Sequence, residues 1–86
     1  MLDLSIEEEA IKKLIMAKAN LSNELLRLIV DVEQEFENVI YYCKDKRTVQ
    51  IIINQHLAKK KQNDARYIQA EKTLEKAEKE FHEIMK

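Results

Sequence analysis

The chain has 86 residues, 45 % of them apolar and 36 % charged, with a net charge of −1, no glycine, no proline and one cysteine. That length allows one domain near the lower limit for folding without a staple, and the lone Cys43 excludes an internal disulfide. The apolar content excludes a disordered chain, and the lack of glycine excludes a fold rich in tight turns. Ala, Glu, Lys, Leu and Arg make up half of the sequence, the composition of long helices once a helical period is found. The opening residues, Met1 to Glu9, are acidic where a secretory or transit segment is basic. No apolar run reaches 18 residues, so no membrane span is expected, and the expected location is the cytoplasm.

The first helix is expected to start at Ser5, where Ser5-Ile6-Glu7-Glu8 has the form of a capping box. Glu7, Glu8 and Glu9 suit the positive end of the helix dipole, and Glu8–Lys12 and Glu9–Lys13 are spaced as i,i+4 ion pairs. A heptad register follows, with Ile11, Lys18, Leu25, Val32 and Val39 at a and Leu14, Leu21, Leu28, Glu35 and Tyr42 at d. Ile15, Ile29, Phe36, Ile40 and Cys43 widen the stripe on one side, and Leu26 and Val30 lie further round. The most apolar stretch is Leu25-Leu26-Arg27-Leu28-Ile29-Val30-Asp31-Val32. A stripe this broad implies contact with more than one neighbour. Unbroken from residue 5 to about 44, the helix is roughly 60 Å long at 1.5 Å per residue.

A reversal is expected at about 45–48, with Asp45 or Thr48 capping a second helix over about 49–85. Its register places Ile53, Lys60, Tyr67, Leu74 and Phe81 at a and His56, Asn63, Ala70, Ala77 and Ile84 at d. Lys60 and Asn63 interrupt it, which marks residues 54–66 as a place for a break and a third, shorter helix. A rival local reading exists. Val39–Cys43 and Val49–Ile53 are rich in β-formers, which would give an α-β-β-α chain with a β-hairpin at about 39–53. The flanking turn has no glycine, and helical spacing runs through both segments.

The expected fold is therefore all-α: one long antiparallel helical hairpin that dimerises into a four-helix bundle. Two helices cover only one stripe each, and a wet apolar face on a soluble protein usually marks an interface. The candidate partner or dimer interface comprises Leu14, Leu21, Leu25, Leu28, Ile29, Val32, Phe36, Val39, Tyr67, Leu74 and Phe81.

No motif carries chemistry. His56 and His82 lack the Glu-x-x-His spacing of di-iron bundles, and one cysteine with no paired histidines does not make a zinc site. Cys43 has Lys44, Lys46 and Arg47 close by in sequence but reads first as a small buried apolar residue. Without glycine there is no phosphate-cradling loop. The chain is thus expected to be no enzyme, with no cofactor and no small-molecule substrate. Charge is unevenly spread. Residues 1–43 sum to −5, 44–66 to +5 and 67–86 to −1. The basic side chains Lys44, Lys46, Arg47, Lys59, Lys60, Lys61 and Arg66 form a candidate electrostatic contact with nucleic acid or an acidic surface. The leading functional reading is a protein-interaction module such as an adaptor, small co-chaperone or regulatory subunit, partnered by itself or another helical protein. A small nucleic-acid-associated regulator is the alternative.

Overall fold

The computed structural model describes residues 5–86, and every element in them is helical: α1 (Ser5–Glu35), α2 (Glu37–Tyr42), α3 (Lys46–Asn63) and α4 (Ala65–Ile84). Residues 39–42 and 46–53 are helical too, so the β-hairpin alternative fails. The β-branched residues there serve helix faces, and Val49 is the buried residue of α3. The molecule is a rod measuring 64 × 21 × 18 Å. α4 lies along the first part of α1, and α3 packs on its second part. The direction is antiparallel, as the ion pairs Lys13–Glu80, Arg27–Asp64 and Glu35–Lys60 show in succession along α1. No helix among the described residues is long and apolar enough to cross a membrane.

The ends of the elements differ from expectation in three places. The first helix does not run unbroken to residue 44. Phe36, at φ −106° and ψ 18°, interrupts it, although the amides of Phe36 and Ile40 still donate to carbonyls four residues back. The following run, Asn38-Val39-Ile40-Tyr41-Tyr42, consists of β-branched, aromatic and Asn residues, all weaker helix formers than the Leu- and Glu-rich sequence before it. Second, the reversal comes at Cys43–Asp45 rather than 45–48. Cys43 and Asp45 are both extended, and no described residue has a positive φ, so the turn needs no glycine. Asp45 is the cap, its carboxylate accepting from the amides of Arg47 and Thr48. Thr48, the other candidate, lies inside α3 and donates its hydroxyl to Asp45 at 2.8 Å. Third, the helix expected over 49–85 is broken at Asp64, inside the interval marked by Lys60 and Asn63. At the amino end Ser5 is the first residue of α1, so the cap position itself lies outside the described residues.

Over its first half the seam of α1 is rotated from the expected register, whereas Leu25 and Val32 keep their expected inward places. Leu14, Leu21 and Leu28 do face inward, but their companions are Ala10, Ala17 and Glu24, not Ile11 and Lys18. On α4 the expected register holds: Tyr67, Ala70 and Ala77 are buried, and Leu74, Phe81 and Ile84 are half-buried. Large residues on α4 thus alternate with alanines, and the alanines at 10 and 17 give them room on α1. Hydrophobicity alone favours isoleucine at the seam. Shape favours alanine. Leu28 and Val32 are the most deeply buried large side chains, 2 % and 0 % exposed, where α1 passes from α4 to α3.

This register is testable by truncation. Leu28→Ala is expected to lower unfolding free energy by about 2–4 kcal/mol, whereas Ile11→Ala changes it by less than about 1 kcal/mol. Denaturant unfolding followed by circular dichroism reads both, and equal losses would contradict the rotated seam.

Candidate interaction surface

The rotation puts large apolar side chains outside. Glu8, Ile11, Lys12, Ile15, Ala19, Ser22, Leu26, Ile29, Val30 and Glu33 fall within about 100° of the α1 circumference, on the side away from the alanine seam. Ile15 is 60 % exposed, Leu26 59 %, and Ile11 and Val30 also count as exposed. The stripe has Ile11 and Ile15 toward one end and Leu26 and Val30 toward the other, with the small Ala19 and Ser22 between them and charges at both ends.

At the carboxyl end this stripe runs into a groove of about 750 Å³ between α1, α2 and the start of α3. Val30, Ile40, Cys43, Val49 and Ile53 form its apolar lining, and Glu33, Gln34, Glu37, Lys46 and Gln50 its polar rim. The groove lies where α3 packs beside the end of α1 and α2, and the Phe36 ring sits edge-on to His56 of α3, ring centres 4.5 Å apart. None of Glu8, Lys12, Glu33, Glu37 and Lys46 has an ion-pair partner among the described residues. The expected Glu8–Lys12 and Glu9–Lys13 pairs are not made; Lys13 instead approaches Glu80 of α4 at 3.8 Å.

The candidate interface residues divide between the inside and the surface. Leu28, Val32 and Tyr67 are buried by their own chain. Leu14, Leu21, Leu25, Ile29, Phe36, Leu74 and Phe81 are half-buried, and Val39 is exposed. The expected register differs from the seam at Ile11, because a register centred on the largest residues claims it for the inside. The seven-residue spacing of Ala10, Ala17 and Glu24, in phase with Leu14, Leu21 and Leu28, was the signal that separates the two faces.

The basic segment is dispersed. Lys60 donates to Glu35 at 2.6 Å, Arg66 to Glu24 at 2.7 Å, and the Lys61 ammonium lies 5.8 Å from the centre of the Tyr67 ring. Glu35 holds the Lys60 ammonium above its usual pKa. Lys44, Lys46, Arg47 and Lys59 remain exposed. Glu35, Asp31 and Asp64 lie around Lys60 at this end of α3, so its positive charge is offset at the same height along the rod. Cys43 is half-buried and donates its thiol to the Asp45 carbonyl at 3.6 Å. His56 is half-buried and His82 exposed.

A charge cluster holds this surface in place. Glu24, 8 % exposed, accepts from Arg27 with one carboxylate oxygen and from Arg66 with the other. Arg27 also donates to Asp64 Oδ1 at 2.7 Å, and the same oxygen caps α4 by accepting from the Tyr67 amide. The Arg27 hydrogen bond, then the Tyr67 amide, holds the Asp64 carboxyl below its ordinary pKa, and Arg27 is raised in return. Burial, helped by the charge of Glu71, pushes the Tyr67 hydroxyl up.

No family model matches the chain, and no curated protein or solved structure is significantly similar to it.

The lowered Asp64 pKa fixes a sign. Its stabilisation is complete above the unfolded value, about pH 4, and is lost as pH falls further through the folded value. Thermal midpoints measured between pH 6 and 2 are therefore expected to drop in this acid range. Asp64→Asn, which keeps a capping side chain but not the charge, is expected to start lower and fall less steeply.

Proposed function

We propose that the chain is a non-enzymatic protein–protein interaction module: a helical hairpin that docks a further helix on the outer face of α1, working as an adaptor, small co-chaperone or regulatory subunit. One observation carries this reading. Ile11, Ile15, Leu26 and Val30 form a line of exposed large apolar residues on one side of a single helix, flanked by charges. Scattered exposed leucines are ordinary, but a continuous helical stripe is the geometry that recognises another helix by i, i+3, i+4 and i+7 anchors. When the docked element is itself a hairpin, the result is a four-helix bundle.

Nucleic-acid binding, the alternative use of the basic segment, has less support. Lys60 and Arg66 are committed to carboxylates of α1, and the remaining cations face several directions along α3.

The two readings separate by mutation. Ile15→Asp combined with Leu26→Asp is expected to abolish helical-partner binding while leaving the helical circular dichroism spectrum intact, because neither side chain is in the core. Changing Lys59, Lys60 and Lys61 together to Ala is expected to leave that binding within about threefold, judged by titration calorimetry. Salt-dependent binding to DNA or RNA that the triple change removes would favour the alternative instead.

A further inference from the structure

We infer that the occupant of this surface is a second copy of the chain, with the amino-terminal half of its α1 seated in the groove at the carboxyl end of the first. This rests on the interaction-module reading and specifies its partner. The argument is one of complementarity along the stripe.

Read from its amino end, the outer face of α1 runs Glu8, Ile11, Lys12, Ile15, Ala19, Ser22, Leu26, Val30, Glu33. Laid antiparallel on itself about an axis between residues 22 and 23, each residue i stands opposite 45 − i of the other copy. Ile15 then meets the partner's Val30, and Ala19 meets the partner's Leu26. Ser22 lies at the axis, where a small side chain lets the two helices approach closely. Lys12 falls opposite the partner's Glu33, and Ile11 and Ile15 reach the apolar lining made by Val30, Ile40, Val49 and Ile53. Glu8 falls opposite the partner's Glu37, with the partner's Lys46 on the facing rim of the same groove. Lys12 and Glu33 thus form the complementary charge pair of this register. These five charges have no partner within their own chain among the described residues.

A two-fold axis makes every such contact twice and fills both grooves. A parallel arrangement would set Glu33 against Glu33 and Lys12 against Lys12, and would leave both grooves without a helix.

Charge reversal tests the register directly. Lys12 and Glu33 are about 30 Å apart on one helix, so they can interact only between copies. Sedimentation across a dilution series is expected to show a dimer. Lys12→Glu and Glu33→Lys are each expected to raise its dissociation constant at least about tenfold, and the double variant to return it to within about threefold of the parent. Helical circular dichroism on the same samples confirms that each variant folds. As a second measurement, Ser22→Cys in a Cys43→Ser background is expected to oxidise to a covalent dimer across the axis. A dimer in which the double change rescues nothing and the cysteines do not join would overturn the register. A chain that stays monomeric up to about 1 mM, yet binds a designed leucine–lysine helical peptide through Ile15 and Leu26, would overturn the second copy as occupant and leave the interaction module standing. A monomer that binds no such peptide would overturn both.

Discussion

Three helices meet at one carboxylate oxygen. Asp64 Oδ1 accepts from the first turn of α4, which it caps, and from Arg27 of α1. Its own residue is extended and closes α3 through the Asp64 amide to the Lys60 carbonyl. Arg27 carries the connection on to Glu24, and Glu24 to Arg66 in the first turn of α4. The junction ties the end of α3 and the start of α4 to one level of α1. Charge pairs that are partly withdrawn from water contribute little net stability but discriminate strongly against arrangements that leave one member unpaired. The junction therefore acts on which fold forms more than on how stable it is. Leu28 and Val32, buried beside it, supply the stabilisation.

Much of this could be read from the residues. The helical class followed from the absence of glycine and proline and from the heptad spacing, and Asp45 was one of two foreseeable caps. The α4 register was legible because Tyr67, Ala70, Leu74, Ala77 and Phe81 repeat without competition from other apolar residues. α1 was harder because it has apolar residues on nearly two-thirds of its circumference, so periodicity admits several seams. Which one wins depends on the partner: α4 presents Tyr67, Leu74 and Phe81, and those need alanine opposite. The bend at Phe36 and the break at Asp64 were legible only as weakness, in the β-branched run after Phe36 and in Lys60 and Asn63. The groove was not legible at all, since it depends on how α3 packs beside the end of α1 and α2.

The choice of seam links stability to recognition. Small residues on the inside bring α1 and α4 together with modest burial per residue, and the large aliphatic residues are left for the outside. A chain that turned Ile11 and Ile15 inward would gain core and lose its surface. The sequence places its strongest apolar side chains where they do nothing for the isolated chain.

The thinness of the rod has a consequence for how it opens. At 64 Å long and about 20 Å across, the molecule has its most deeply buried large side chains, Leu28 and Val32, at one point, and away from it the buried described residues are chiefly alanines. Helical hydrogen bonds far from that point are protected only by one neighbouring helix, so each end can fray without disturbing the other. Local opening is graded along the axis, lowest in cost at the two extremities and approaching the global value at the Asp64 junction. The protein behaves less as a single cooperative block than as a clasp fastened in the middle, with two free ends that a docked helix would stiffen.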